Sequence, residues 1–448
     1  MTDVVGAAPE RARPATLRGR VATPIRRAGS AVGRFAAATE INLRLFGMVL
    51  ALGIILLGFG LATGGRLLEP RNLVAFSVQA ATVAIIATGM VLVIVSRNID
   101  LSVGSIVGVI AMVYALLMSR WLPALIGFDH PLMWVIALAI GMALGALIGG
   151  FQGLLIAYVG IPSFVVTLGG LLALRGVVWL LSGGASVSGL DPTFQLLGGG
   201  PRGSIGGPAS WAVGILVCVA IVGLMVYNRQ RRRRFGFPLR PMWAEVPIAV
   251  VACTLVLGFV WIANNDFWPP NLARQYALEH GITEPPGGLR IESGIPWPLL
   301  VLIAVAVLMT FLATRLRFGR YVYAIGGNPE AAELGGINSR RTILLVYALM
   351  GVLCAVSAAI AAARLNGSTL DVGRGYELYV IAAAVIGGTS FAGGIGTIPG
   401  AVLGALVMQS LQYGLTFMGA SSPHIDIVAG IVLVLAVGFD TWNRRRGT

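Results

Sequence analysis

The sequence predicts an all-α, polytopic membrane protein of about twelve transmembrane helices. Hydrophobic residues make up 57% of the 448 positions and charged ones only 11%, a surface that a soluble chain of this size could not keep hydrated. Apolar runs long enough to cross a ~30 Å hydrocarbon core as helices recur from Phe46 to Phe439. The alternating ten-residue segments that mark a membrane barrel are absent.

Taken in order, the runs place spans at 46–64, 73–96, 101–119, 132–158, 163–182, 211–227, 246–263, 297–314, 342–363, 377–391, 396–418 and 424–440. The glycine-rich stretch 377–418 has the composition of a broken or re-entrant helix. Residues 1–44 are polar and arginine-rich. No A-x-A-like cleavage site ends the run that follows them, so they read as a retained cytoplasmic tail leading into a first anchor.

No lysine occurs, so all 32 basic residues are arginine and the formal net charge is +14. The arginines sit in short segments between apolar runs, which reads as a topology signal rather than a nucleic-acid surface. With the N-terminus inside, twenty-three fall in inside segments, at Arg11 to Arg44, Arg97, Arg229 to Arg240, Arg315 to Arg341 and Arg444 to Arg446, against eight outside. Asp266, Glu279, Glu284 and Glu292 share one outside loop, at 265–296. Both ends are therefore expected on the cytoplasmic side.

Cys218, Cys253 and Cys354 each lie in an apolar run and read as packing residues. His130, His280 and His424 fall in or near outside loops with no ligand spacing, so neither a metal site nor an enzyme is expected. A Walker A loop requires a lysine, so the chain does not hydrolyse ATP by that route and binds no cofactor of its own. The segment Gly104 to Ile110 echoes Gly396 to Val402, as an internal repeat would; chance similarity in Gly/Val/Ile-rich sequence produces the same echo.

The segment 318–338 between two spans encodes a short, well-delimited helix. Asn328 is a strong N-cap, Pro329 suits the first helical position, and Glu330 sets negative charge at the positive end of the dipole. Gly335 and Gly336 supply a left-handed stop. Such a helix suits docking into a groove on a partner, and it suits an ordinary connection equally well.

Glu330-Ala331-Ala332 followed by Gly335 resembles the coupling-helix loop of ABC-importer permeases. The stretch from Phe318 to Asn338 is similar to the ribose/xylose/galactose-type permeases in particular. Three further blocks agree in order and spacing: Asn98-Ile99-Asp100-Leu101-Ser102-Val103-Gly104-Ser105, Gly160 to Gly169, and Gly387-Gly388-Thr389-Ser390-Phe391-Ala392-Gly393-Gly394. The resemblance covers roughly 43–443. Arg234-Phe235-Gly236 precedes a second Arg317-Phe318-Gly319, with two spans between them. The extra segment 228–296, one span and an outside loop, resembles the longer xylose-type members. The expected division is a tail at 1–44, a first core half at 45–227, the insertion, and a second half at 297–443 that holds the coupling loop 318–341: a ten-helix core plus an inserted hairpin.

The resemblance implies a sugar permease with xylose favoured and ribose or galactose as alternatives. It also implies ATP used by a separate ATP-binding cassette subunit, an extracytoplasmic sugar-binding protein and a homodimer in the cytoplasmic membrane. The implied ATPase contact comprises Asn328, Pro329, Glu330, Ala331, Ala332, Glu333 and Gly335. Candidate pathway residues are Asn98, Asp100, Ser102, Ser105, Gln152, Thr167, Thr389 and Ser390, whose polar groups need a partner or a cavity at membrane depth. Asp100 and Ser102 are also placed to cap the helix they open, and interhelical hydrogen bonding accounts for Gln152, Thr167 and Gln409 as well. Arg175, inside the fifth span, requires carbonyls or water. An ion-coupled secondary transporter is the competing class. It would carry acidic residues in the bundle interior, whereas Asp100, Glu377, Asp426 and Asp440 stand at span ends or in loops.

Overall fold

The computed structural model describes residues 43–128, 130–239, 241–282 and 288–447. Residues 1–42 of the expected tail, with Arg11 to Arg34, and also Arg240 and Glu284, lie outside the described residues. Helices are α1 Leu43–Ala62, α2 Pro70–Val95 and α3 Val103–Leu116, which a π turn prolongs to Ile126. Then come α4 Met133–Leu154, carried by a second π turn to Val159, α5 Ser163–Ser182, α6 Gly207–Arg234 and α7 Met242–Asn264. They are followed by α8 Pro270–Glu279, α9 Trp297–Thr314, α10 Arg317–Gly327, α11 Pro329–Leu334 and α12 Ser339–Leu365. The last are α13 Tyr376–Ile386, α14 Ile398–Phe417 and α15 Ser422–Gly447. Among the described residues, ten helices are long and apolar enough to cross a membrane: α1 to α7, α9, α12 and α14. The other two expected spans coincide with shorter apolar helices, Tyr376–Ile386 and Ser422–Leu435.

The centre is α2, buried along nearly its whole length from Val74 to Val95. It is surrounded by α12, α14, α13 and α9. One hydrophobic cluster joins residues from Ala81 to Ala429 and so crosses both expected core halves. The outer helices turn Leu172, Leu180, Leu216, Val219 and Val307 outward, as helices facing hydrocarbon must, because their backbone groups are satisfied internally.

Between lipid-exposed helices the hydrophobic effect supplies little net drive, so close backbone approach matters more. The pair α4 on α12 is built that way. Gly141, Gly145, Gly149 and Gly153 recur every fourth residue along one face of α4. A β-carbon on Gly141 would overlap the Tyr114 ring of α3, and those on the other three would overlap the Gly351 carbonyl, the Tyr347 carbonyl and the Leu344 backbone of α12 in turn.

Helix α7, the span of the expected insertion, packs on α6, with Gly214 against Val260. The Cys218 thiol lies 3.9 Å from the Cys253 carbonyl, and all three cysteines are free. Arg229 pairs with Glu245. Val260 and Ala263 bury against Val74 of α2. The boundary expected at 228 falls inside α6. The loop at 265–296 carries ordered structure. It contains α8, opened by Pro270, and its ends are bridged by Trp268 N–H donating to the Ile291 carbonyl at 2.9 Å.

The span expected at 377–391 stops at Ile386, and the discontinuity foreseen in 377–418 takes this form. Gly388 adopts φ 105, which only glycine tolerates readily. A β-carbon on Gly387 would overlap the carbonyl of Gly400, so α14 abuts the end of α13 backbone to backbone. The carbonyls of Val385 and Ile386 accept from the Arg44 guanidinium at 2.9 and 3.3 Å, the first of them also from the Gly388 amide at 2.9 Å. Upstream, Gly367–Ser368 pairs with Val187–Ser188, and the chain then runs to Gly373, whose backbone meets Gly104 near the start of α3.

Candidate functional site

The expected capped helix forms as α11. Asn328, extended at φ −148, accepts the Ala331 amide through its side-chain oxygen at 3.0 Å. Such a cap is worth about 1 kcal/mol. At the other end Gly336, at φ 80, carries the left-handed turn, and the Ile337 amide reaches back to the Ala332 carbonyl at 3.0 Å. Gly335 is not left-handed, at φ −76; it continues the helical turn by donating to Ala331 at 2.9 Å. Ala332 is buried against the body, while Asn328, Glu330, Ala331, Glu333 and Gly335 are exposed and Pro329 is half-buried. Leu334 is 90% exposed. Acidic side chains and one apolar tip on a stiff projecting turn make a surface suited to a partner.

Helix α10 anchors this turn. Gly319, Val322, Ile325 and Gly326 bury one of its faces, and the Tyr323 hydroxyl donates to the Gly396 carbonyl at 2.7 Å. Gly326 lies so close to α2 that a β-carbon would overlap the Val95 carbonyl. Arg97 Nε donates to Gly326 at 2.8 Å and its Nη2 to Gly327 at 3.0 Å. The Gly394 amide donates to Val95 at 3.0 Å. The root of α11, the end of α2 and the segment 387–397 thus meet at one place.

The connection from Asn98 to Ser102 leaves this junction through a dense polar network. Asp100 is 1% exposed and accepts the Ser102 amide at 2.9 Å and the Ser102 hydroxyl at 2.6 Å. Ser102 Oγ also lies 3.0 Å from the Gln152 side chain of α4. The hydroxyl has one proton, so with Asp100 ionised the Gln152 amide presents its NH2 there. Neither side chain caps the first turn of α3; Asp100 makes a local turn with Ser102, two residues on. The Ser102 side chain does not bond the first turn of α3, because its hydroxyl is engaged by Asp100. Burial raises the Asp100 carboxyl from 3.8 to about 6, against the lowering effect of its Ser102 bonds. The Ile99 carbonyl accepts from Tyr347 at 3.1 Å and from Thr167 at 3.4 Å, and its amide donates to Ser163 at 3.3 Å. Ser105 donates to the Leu171 carbonyl at 2.9 Å. Asn98 is half-exposed and turns back to Ser96 at 2.9 Å.

Thr389 and Ser390 are fully buried in the segment after α13. Ser390 is held by backbone bonds to Ile395 and Gly393. Thr389 Oγ1 has no partner among the described residues, nor does Gln409 Oε1. The candidates therefore divide into a cluster from Asn98 to Ser105 with Gln152 and Thr167, and a second pair at Thr389 and Ser390. Arg175 finds the carbonyls it requires, at Leu370 and Val372, both 3.3 Å. Sequence reasoning passed over Tyr347, met Ser163 only inside the Gly160 to Gly169 block, and took Arg44 and Arg97 only as topology charges. Arg97 was findable, since it adjoins the polar Asn98-x-Asp100 cluster.

At the opposite end, a cavity of about 700 Å³ opens among Arg71, Gln195, Arg202, Asp266, Arg364 and Asn366. Asp266 belongs to the insertion; burial raises its carboxyl, and Arg71 opposes the rise.

Residues 72–437 match the family model described as "Branched-chain amino acid transport system / permease component". The chain is 36% identical over 414 residues to the xylose transport system permease protein XylH of Escherichia coli (strain K12), covering 92% of this chain and 96% of that protein. It is 34% identical to the XylH of Haemophilus influenzae, over 91% and 98% of the two chains. To the ribose import permease protein RbsC of Escherichia coli (strain K12) it is 32% identical, over 83% and 85%. No solved structure matches the chain. With the family model spanning most of its length and ten helices fit to cross a membrane, the chain is a multi-pass membrane protein that belongs to this family of transport-system permease components.

Proposed function

We propose that the chain is the membrane subunit of an ABC importer that carries xylose across the bacterial cytoplasmic membrane. The observation that carries this reading is the likeness to xylose permeases over nearly the whole of both chains, insertion included. The likeness to the ribose permease is lower and covers less of the chain, which favours xylose over ribose. The family description speaks of branched-chain amino acids, but the full-length relatives named above are sugar permeases.

In this reading α13 and α15 complete twelve membrane helices, ten of them core and two the inserted hairpin, and both termini are cytoplasmic. The end bearing Arg97, Arg229 and α11 faces the cytoplasm, in keeping with the arginine placement. Helix α11 docks on a separate ATPase subunit through Glu330, Glu333 and Leu334. An extracytoplasmic binding protein delivers sugar at the opposite end. Two copies form the pathway between them, with Asn98 to Ser105 and Gly387 to Gly394 beside it, and Gln152 and Thr167 supporting the first segment.

Uptake of radiolabelled xylose, ribose and galactose by a deletion strain and its complemented parent tests the substrate. Loss and recovery of xylose uptake alone is the expected result. Ribose uptake lost with xylose uptake intact would overturn the sugar assignment. Glu330→Arg tests the docking helix. The expected variant is membrane-inserted, melts as the parent does, and no longer retains the ATPase subunit on purification. Full retention and full uptake would remove α11 from that role.

A further inference from the structure

We propose that Arg97 is a positioning residue, a strut that passes displacement of α11 to the two segments assigned to the pathway. The inference rests on the transport reading above and adds the link between its two ends.

Arg97 ends α2 in the left-handed region, at φ 64. The Asn98 amide donates to Val93 at 3.1 Å and closes the stop. Glycine is the residue for which this geometry carries no steric cost, and glycine holds it at Gly160, Gly183 and Gly336. Among the described residues Arg97 and Asn366 alone adopt positive φ without being glycine. Asn366 is a residue type that tolerates the region; arginine is not. The side chain is what glycine could not provide, and it spans 229 positions of sequence to the Gly326 carbonyl.

Its two bonds fall on the last residues of α10, directly before the Asn328 cap of α11. Gly393, at φ 86, has its Cα against the Arg97 stem, where a β-carbon would meet Cγ. Two residues on, Ile99 is tied to α12 and α5 through Tyr347 and Thr167, and Ser102 to α4 through Gln152. A shift of the α10 carbonyls therefore draws on Arg97, and Arg97 has stiff neighbours in both pathway segments. Arg97 is an exposed residue, its Nη2 bond at the surface and its Nε bond partly buried, and exposed hydrogen bonds and charge contribute little to stability.

Arg97→Gly separates this role from a simple staple, because it relaxes the backbone while removing the side chain. Wild type, Arg97→Gly and Arg97→Lys are purified with the ATPase subunit and reconstituted with the binding protein. Melting temperature, ATP hydrolysis and uptake of labelled xylose are measured on each. The expected Arg97→Gly complex melts within about 2 °C of wild type and retains the ATPase. It carries about tenfold less xylose per ATP hydrolysed. Arg97→Lys, with one point donor in place of the fork, falls between the two. Xylose carried per ATP within about twofold of wild type overturns the strut alone. So does a lower melting temperature with that ratio unchanged, which is the mark of a staple. If the wild-type preparation shows no ATP-driven xylose uptake, the transport reading falls and takes the strut with it.

Discussion

Gly149 meets the carbonyl of Tyr347 with no room for a β-carbon between them. Gly150, the next residue, has only the Ala348 methyl near it, at 3.9 Å from where its own would stand. The two positions make a matched test of the α4–α12 contact. Gly149→Ala is expected to force the helices apart and destabilise by about 1–3 kcal/mol, the cost of overpacking. That lowers the melting temperature in detergent by several degrees. Gly150→Ala is expected to leave it unchanged. Equal melting of the two variants would show that glycine spacing does not set this interface.

The stripe behind that prediction was written in the sequence as glycine at every fourth position of an apolar run, yet hydropathy alone passes over it. Ten of the expected spans coincide with helices long and apolar enough to cross a membrane, because membrane depth leaves the backbone no alternative. What stayed illegible depends on partners distant in the chain. The end of α13 at Ile386 is decided by Gly400 and Arg44, and neither is visible from local composition. Glycines at 335 and 336 looked interchangeable as a helix stop. Only the chain path after Leu334 assigns the left-handed turn to Gly336. The Asp100 segment could be read as polar and capping, but its bonds to Gln152 and its neighbour's to Tyr347 cross 50 and 248 positions.

Asp100 should make stability depend on pH. Its carboxyl stands at about 6, raised from 3.8 by burial in the connection between α2 and α3. The folded state thus binds this proton more tightly than the unfolded chain does. Stability is greatest below the unfolded value and falls as pH rises through the folded one. Each tenfold in proton affinity is about 1.4 kcal/mol, so the ionised carboxylate costs on the order of 3 kcal/mol at neutral pH. Asp100→Asn keeps an oxygen for the Ser102 amide and removes the charge. The variant should melt higher than wild type at pH 8, by a margin that narrows below about pH 6 and closes only near the unfolded value of 3.8. Melting curves that stay parallel across that range would contradict the assignment.

The stop of α11 distinguishes its two glycines. Gly336→Ala places a β-carbon in the left-handed region, a cost of about 1–2 kcal/mol, and should loosen the last turn of α11. Gly335→Ala, at φ −76, should be nearly silent. Gly335→Pro is compatible with that φ but removes the amide that donates to Ala331 at 2.9 Å, so it should act like Gly336→Ala. Uptake per folded protein reads the difference. A silent Gly336→Ala beside a damaging Gly335→Ala would reverse the assignment of the cap.

The last prediction concerns sidedness, on which the transport reading depends. Two groups of residues mark opposite ends of the bundle. Arg97, Gly326 and Gly394 meet at one end, and Arg71, Arg202, Asp266 and Arg364 surround the cavity at the other. The arginine excess assigns the first end to the cytoplasm. Replacing Cys218, Cys253 and Cys354 by alanine gives a background for single reporters, valid only if that background still transports. Leu278, 78% exposed on α8, reports the cavity end, and Arg340, exposed at the start of α12, reports the other. A membrane-impermeant thiol reagent should label Leu278→Cys in cells whose cytoplasmic membrane is intact, and Arg340→Cys only after lysis. The reverse pattern would turn the molecule over, placing α11 on the outside, where no ATPase subunit could reach it. Labelling of both sites in intact cells would mean that an even number of crossings separates them, and α9, the one candidate span between them among the described residues, would lose its place in the count.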